Sequence, residues 1–166
     1  MKLTRRENLA LLGSTALSVA VAPVAALADG HEPKTIEVQM LNKHPDNPRE
    51  AMVFHPAVIR ANVGDTIKFL STDRGHNSEA TRDMLPDGVD RWKSKINDDF
   101  ELVVEADGTY GFNCTPHKTV GMVGLLLVGD AMVNFEDAKK VRQRGKAKAR
   151  YAAYFEEAEA MLSAEA

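Results

Sequence analysis

The sequence is poor in cysteine, because its 166 residues include only Cys114. A single cysteine cannot form a disulfide bond within the chain. Cys114 must then be a buried small hydrophobic residue, a reactive thiol or a metal ligand. The residues around it have to decide between these possibilities.

The sequence also lacks a long uninterrupted apolar run. Its most apolar stretch, residues 9–24, is interrupted by Gly13 and Pro23. A helix that crosses a membrane needs about 20 consecutive apolar residues. A membrane anchor is the alternative interpretation of this stretch, but we do not expect the rest of the chain to insert into a membrane.

The flanks of this stretch are typical of an export signal. A basic segment with Arg5 and Arg6 precedes it, and an A-x-A cleavage site follows at residues 26–28. Paired arginines before an apolar run direct folded bacterial proteins to export. Residues 1–28 are therefore predicted to be a twin-arginine-type signal peptide, and the mature chain is predicted to lie in the periplasm.

The mature chain has no excess of positive charge. The predicted signal contains three basic residues and one acidic residue, which leaves 18 basic and 23 acidic residues and a net charge of −5. Proteins that bind nucleic acid usually carry a basic surface instead. A nucleic-acid partner is therefore not expected.

Short strand patterns dominate the region from residue 35 to residue 129. Ile36, Val38 and Met40 alternate with polar residues, which is the period of a half-buried strand. Turn sequences rich in glycine and aspartate separate this pattern from the next ones. Many short strands in one domain predict a mainly β fold of the β-sandwich type. The candidate strands cover residues 35–41, 52–59, 66–70, 100–104, 109–114 and 123–128.

Glycine becomes scarce after Asp130, where only Gly145 remains. Apolar residues recur there at helical spacing in two segments, first in 132–141 and then in 147–162. We therefore predict two amphipathic α-helices that cover the sandwich. The predicted organisation is a β domain over residues 29–130 and a helical extension over residues 131–166.

Cys114 opens the most informative motif of the chain, C-x2-H-x4-M, with His117 and Met122 as its other members. The motif falls between two predicted strands, so its loop can direct three side chains to one point. Thiolate and imidazole together select copper or zinc, and two histidines, one cysteine and a weak axial methionine form blue-copper electron-transfer sites. His76 follows a predicted strand at a turn and is the candidate for the missing histidine.

The sequence offers no cluster for a second metal. His31, His44 and His55 are scattered along the chain and are interpreted as surface or structural residues. The seven methionines are dispersed as well, unlike the methionine-rich or histidine-rich clusters of copper carriers. We therefore predict an electron carrier rather than an enzyme, and a periplasmic copper carrier or buffer is the alternative.

The chain resembles the cupredoxin family of blue copper proteins, and within it the pseudoazurins. Plastocyanins share the C-x2-H-x4-M spacing but lack two C-terminal helices. The resemblance implies an eight-stranded Greek-key β-sandwich and one type 1 copper held by His76, Cys114, His117 and Met122. The segments that carry it are residues 40–43, 51–54, 64–66, 73–77, 93–97 and 114–117.

The resemblance also implies roles for two neighbours of the ligands. Asn77 should offer its backbone N–H to the Cys114 sulfur, while its side chain ties the two ligand loops together. Pro116 has no N–H and so withholds a second donor from that sulfur. Hydrogen bonds to a copper thiolate tune its redox potential.

A docking surface around His117 is implied by the resemblance as well. Met52 and Pro116 are predicted to form an apolar patch, ringed by cations that steer the protein toward acidic partners. The leading implied partner is copper nitrite reductase, with nitrous-oxide reductase or a peroxidase as alternatives, and cytochromes c are implied as well. The protein is expected to be a monomer. The sequence departs from the family at Lys118, Thr119 and Val120, where pseudoazurins commonly have an aromatic residue, a small residue and methionine. The predicted ring consists of Lys43, Arg74, Lys93, Lys95 and Lys118.

Overall fold

The computed structural model describes residues 31–165. The predicted signal peptide, residues 1–28, lies outside the described residues. The proposed boundary between a domain at 29–130 and an extension at 131–166 stays a prediction.

The first sheet contains β1 (Thr35–Lys43), β2 (Ala51–His55), β4 (Thr66–Leu70) and β6 (Phe100–Val103), in the spatial order β2-β1-β4-β6. β1 pairs antiparallel with β2 and parallel with β4, and β6 joins the edge of β4 in the antiparallel direction. The alternation seen in the sequence of β1 places Val38 and Met40 in the core, both without solvent exposure.

The second sheet contains β3 (Val58–Ala61), β5 (Glu79–Ala80), β7 (Gly108–Asn113) and β8 (Val123–Val128), in the order β3-β8-β7-β5. Every residue of β7 and β8 is buried. A strand covered on both faces has no polar face and becomes a continuous apolar run. This explains why β8 consists of valine, glycine and leucine without alternation.

Aromatic side chains fill the space between the sheets. Phe54 and Phe112 meet edge to face with ring centroids 4.8 Å apart, and Phe69 meets Phe112 in the same way at 5.2 Å. Edge-to-face pairs of this kind add about 0.5–1.5 kcal/mol beyond the burial of their surface. Cys114 and Met122 belong to this core, each with no solvent exposure.

The sequence-based prediction of one strand over residues 52–59 is wrong. The chain instead forms β2 and β3, which belong to different sheets, and Pro56 lies between them. Proline has no N–H to donate to a strand ladder, which favours a break in the strand at this position. The chain crosses from one sheet to the other at this break.

Two α-helices follow the sandwich, as predicted. They are α1 (Phe135–Lys140) and α2 (Lys146–Glu165). Their buried residues form a second apolar cluster on the outer face of β8, together with Val123, Leu125 and Leu127. The helices therefore cover the face of the second sheet that points away from the first.

The helical spacing of the sequence predicts Met132 on the buried face of the first helix, but the structure places it elsewhere. It lies in a short 3₁₀ turn, Ala131–Val133, and its side chain is 54% exposed. The helical period begins only at Phe135, so it cannot place residue 132 on the inner face.

The eight strands and two helices described within residues 31–165 confirm a mainly β, eight-stranded Greek-key sandwich with two C-terminal helices. Within the same residues, no helix is both long enough and apolar enough to cross a membrane.

Candidate metal centre

Two loops at one end of the sandwich bring three metal-ligating side chains together. Cys114 directly follows β7 and begins the loop that leads to β8, while His76 lies in the loop between β4 and β5. Asn113 and Val123 are the last paired residues of the two strands, and the N–H of Cys114 donates to the carbonyl of Met122 at 3.0 Å. The antiparallel ladder therefore closes the base of the Cys114 loop.

Tight turns inside this loop return His117 toward Cys114. The N–H of His117 donates to the Cys114 carbonyl at 3.2 Å, and the N–H of Met122 donates to the His117 carbonyl at 3.1 Å. The carbonyls of Cys114, His117 and Met122 are thus all used within the loop. As a result, the side chains of residues 114 and 117 point to the same place as His76.

The three donor atoms form a compact triangle. The Nδ1 atoms of His76 and His117 are 3.1 Å apart, and the Cys114 Sγ lies 3.8 Å from the first and 3.5 Å from the second. A point in the plane of this triangle that is equally far from its three corners lies about 2.0 Å from each of them. A metal–imidazole bond is roughly 2.0–2.1 Å long and a metal–thiolate bond roughly 2.3 Å. One transition-metal ion fits between the three atoms, so the donor set fits copper in both its chemistry and its size.

Asn42 determines which ring nitrogen of His76 carries the proton. Its Oδ1 atom lies 3.1 Å from the His76 Nε2 atom and can only accept, so Nε2 carries the proton and Nδ1 keeps its lone pair toward Cys114. Burial, followed by the charge of His117, lowers the pKa of His76. Both effects keep the His76 ring neutral, which is the form that binds a metal.

The Cys114 thiol is held in a low-polarity environment. Burial raises its pKa, whereas hydrogen bonds from the backbone N–H groups of Asn77 and His117 act in the opposite direction. A metal cation stabilises the thiolate directly and so overcomes the effect of burial. The pocket thus disfavours a free thiolate and accommodates a metal-bound one.

Asn77 joins the two ligand loops through its side chain. Its Oδ1 accepts the N–H of Thr115 at 2.8 Å, and its Nδ2 donates to the Thr115 hydroxyl at 2.9 Å and to the Ser94 carbonyl at 3.1 Å. Thr115 in turn donates its hydroxyl to Glu79 at 2.6 Å. His76 and Cys114 are therefore held in position by their immediate neighbours in sequence.

Met122 lies at the far end of the Cys114 loop and has no solvent exposure. Both its N–H and its carbonyl are bonded within the loop. It belongs to the same apolar cluster as Cys114.

His117 reaches the protein surface, whereas His76 does not. His117 is half-buried, and the neighbouring Pro116 and Thr115 are exposed. Val120, 44% exposed, is an apolar residue of the same loop, at one of the positions where the sequence departs from the family. Met52, the predicted patch residue of β2, is half-buried.

The predicted ring of five cations is uneven. Lys93 lies 3.6 Å from Glu79, and Lys118 is half-buried, with a pKa that burial lowers. The other three, all exposed, form no ion pair among residues 31–165. They are Lys43, Arg74 and Lys95.

The three remaining histidines lie away from the triangle, as the sequence analysis expected. His31 bonds to the buried carboxylate of Asp65 at 2.7 Å. His44 and His55 meet edge to face with centroids 4.9 Å apart, and the His44 Nδ1 accepts the N–H groups of Asp46 and Asn47.

Three contributors to the centre went unidentified in the sequence analysis. Asn42 lies at the end of β1, Glu79 begins β5 and Thr115 follows Cys114, so only Thr115 is near a motif member. Asn42 and Glu79 act through contacts with residues 34 and 36 positions away. A polar residue at the end of a strand was the available signal, but it does not specify a partner.

The chain matches known copper proteins over most of its length. The model of the family of copper binding proteins, plastocyanin/azurin family, matches residues 38–129. Over 134 residues the chain is 48% identical to pseudoazurin of Paracoccus pantotrophus, with 81% of this chain and 90% of that protein covered.

Solved structures give the same result. The crystal structure of native pseudoazurin from Hyphomicrobium denitrificans superposes with a TM-score of 0.70 at 34% identity, covering 74% of this chain and 97% of that one. Pseudoazurin of Methylobacterium extorquens also superposes with a TM-score of 0.70, at 41% identity, covering 74% and 98%. The chain therefore belongs to the pseudoazurins of the plastocyanin/azurin family, blue copper proteins that carry electrons and are not enzymes.

Proposed function

We propose that this protein carries single electrons in the periplasm through one type 1 copper held by His76, Cys114, His117 and Met122. The observation that supports this ligand set most directly is the triangle of two imidazole nitrogens and one sulfur, with sides of 3.1, 3.5 and 3.8 Å. Bound copper supplies the redox change between its cupric and cuprous states. Met122, buried in the same apolar cluster as Cys114, is proposed as the weak axial ligand.

The rigidity of the donor set suits electron transfer. His76 is oriented by Asn42, and Cys114 is oriented by the ladder bond to Met122 and by the bonds between Asn77 and Thr115. Side chains that are already in place need little rearrangement when the charge of the site changes. Little reorganisation favours fast transfer of one electron.

The surface at His117 is the proposed electron port. It combines the half-buried His117 ring with the exposed Pro116 and Val120, and Met52 contributes at its edge. Exposed apolar residues around a single polar ring can exclude water from a brief contact with a partner. The predicted cations around this surface are proposed to steer acidic partners to it.

The proposed acceptor is a denitrification reductase such as copper nitrite reductase, with nitrous-oxide reductase and cytochromes c as further candidate partners. The twin-arginine-type pattern of residues 1–28 supports a periplasmic location. The net charge of −5 gives no support for a nucleic-acid partner. The protein is proposed to act as a monomer, because electron carriers form brief contacts through one small surface.

Copper loading tests the ligand set. We expect the mature protein with cupric copper to show an intense blue absorption and reversible one-electron reduction by voltammetry. Cys114→Ser should lose the blue band, because the thiolate donates electron density to the copper in this absorption. Met132→Leu, on the exposed turn, should keep the band. Blue colour that survives Cys114→Ser would contradict the proposed site.

The same copper-loaded preparation distinguishes an electron carrier from the alternative, a copper carrier or buffer. A carrier would hold colourless cuprous copper and release it readily to a chelator. An electron carrier would keep its copper through repeated oxidation and reduction. Loss of the ion during voltammetric cycling would therefore contradict the electron-transfer role.

A further inference from the structure

Arg150 of α2 connects the C-terminal helix to the metal loop. Its Nη1 donates to the carbonyls of Met52 at 2.7 Å and Gly121 at 2.9 Å, and its Nη2 donates to the carbonyl of Ala51 at 2.9 Å. The planar guanidinium has five N–H donors in a fixed arrangement and can hold several acceptors at once. One side chain thus binds the backbone of β2 and of the loop that ends at Met122.

The contact between α2 and this loop is unusually close. A Cβ atom at Gly121 would lie 3.0 Å from the Cδ of Arg150 and 3.3 Å from the Cβ of Lys146. On the other side, a Cβ atom at Gly145 would lie 2.4 Å from the carbonyl oxygen of Thr119. Glycine on each surface lets the helix and the loop approach backbone to backbone, so neither can shift without the other.

The peptide that Arg150 holds is the one before Met122. Gly121 has a φ of 103°, and its carbonyl is directed to Arg150, while the N–H and carbonyl of Met122 are bonded to His117 and Cys114. The orientation of the Met122 backbone is therefore determined partly within the loop and partly by Arg150. A change at Arg150 should alter the direction from which the Met122 side chain approaches the triangle.

Met52 depends on the same guanidinium. Its backbone has a φ of 54°, a left-handed conformation that costs energy for a residue with a side chain. Arg150 binds the carbonyls on both sides of the Met52 N–Cα–C unit, those of Ala51 and Met52 itself. These charge-assisted bonds stabilise the conformation in which Met52 packs against the core beside the metal centre.

We propose that Arg150 is a positioning residue for the copper site. By binding three backbone carbonyls, Arg150 orients the axial ligand Met122 and also orients Met52. This proposal rests on the proposed function, since it assumes that Met122 is the axial ligand. Arg150 does not touch the metal donors, so its effect is on their geometry. The C-terminal helix is then part of the metal centre rather than only a cover for the second sheet.

Arg150→Lys tests the proposal in the full copper-loaded protein, because lysine keeps the charge but cannot bind three carbonyls with one planar group. We expect a shift in the ratio of the two visible absorption bands and in the rhombicity of the cupric EPR spectrum. Arg150→Gln should shift both quantities too, since its shorter amide group cannot bind all three carbonyls at once. The second variant covers the case in which the first does not fold.

Arg60 provides the matched control. It also donates to backbone carbonyls, those of Ala61 and Leu127, and it pairs with Glu165 near the end of α2. Leu127 lies five residues along β8 from Met122, or roughly 16 Å at strand spacing. Arg60→Lys should lower stability without changing the spectra.

The outcomes separate the two proposals. Spectra of Arg150→Lys and Arg150→Gln that match the wild type would overturn the role of Arg150, even if both variants were less stable. A wild-type protein without blue absorption would instead overturn the proposed function. Changes in both Arg150 variants together with an unchanged Arg60 variant would support the proposal.

Discussion

At the scale of single residues, the metal donors depend on neighbours that are remote in sequence. His76 presents Nδ1 because Asn42 accepts its other proton, and the Cys114 loop is held by the Asn77 side chain, which bonds to Thr115. The spacing of Cys114, His117 and Met122 identified three of the proposed ligands before the fold was known. Asn42 could not be identified in that way, because its partner is 34 positions away.

Pro116→Ala should raise the redox potential. Alanine introduces a backbone N–H near the Cys114 sulfur. A hydrogen bond from this N–H to the sulfur withdraws electron density from the thiolate and favours the cuprous state. A hydrogen bond of about 0.5–1.5 kcal/mol corresponds to roughly 20–65 mV for one electron. Voltammetry measures the shift, with Pro48→Ala in the exposed 44–50 loop as the control, and an unchanged or lower potential would contradict the argument.

Asp65 is expected to stabilise the fold in a pH-dependent way. Burial alone would raise the pKa of its carboxyl, but hydrogen bonds from the Asn62 N–H, the His31 ring and the Lys34 N–H hold the pKa below its usual value. A lowered pKa in the folded state contributes stability above the unfolded pKa, and this contribution is lost as the pH falls through the folded value.

Asp65→Asn should therefore reduce the free energy of unfolding at neutral pH by about 1–3 kcal/mol, because its amide group opposes the N–H donors. The difference from the wild type should shrink as the pH falls below about 3.9. Denaturant unfolding at several pH values measures both quantities. Asp87→Asn, at an exposed turn, should change little, and a deficit independent of pH would argue against an ionised Asp65.

At the scale of elements, strand periodicity predicted most of the sandwich but failed where the chain changes sheets. The pattern over residues 52–59 is apolar except for His55 and did not reveal the break at Pro56. β5 has only two residues, Glu79 and Ala80, which is too short for any periodic signal. The helices were predicted well because apolar residues recur over a long segment of α2.

Phe155→Ala should destabilise the packing of α2 on the second sheet. Phe155 is 3% exposed and meets Phe135 of α1 edge to face at 5.3 Å. Truncation of a buried phenylalanine leaves a cavity and costs about 3–5 kcal/mol. Chemical denaturation measures the loss, and Met132→Ala, on the exposed turn, should stay within about 0.5 kcal/mol. An equal effect of both variants would mean that α2 contributes little to the fold.

At the scale of the whole molecule, the arrangement of charge matters more than its sum. The mature chain is predicted to be acidic, yet Lys43, Arg74 and Lys95 are exposed on the loops and strand end that border the metal centre. Glu79 offsets Lys93, so the ring is weaker than the five predicted cations imply. Steering by such a field depends on ionic strength.

Lys43→Gln should slow electron transfer to an acidic partner at low salt. The expected decrease is roughly twofold to fivefold, for the loss of up to about 1 kcal/mol of charge attraction. Lys34→Gln is a matched control, because Lys34 precedes the opposite end of β1, roughly 30 Å away at strand spacing. Stopped-flow rates over a range of salt concentrations measure the effect. Equal rates for the two variants would contradict steering at the His117 surface.

The sequence by itself determined the donor types, the strand-rich class and the two helices, because these depend on local spacing and periodicity. Only the tertiary structure decided that His76 meets Cys114, that Asn42 orients His76, and that Arg150 binds the loop before Met122. These contacts join residues between 29 and 38 positions apart. Local patterns carry no information about such pairs, because the packing of two sheets and a helix brings them together.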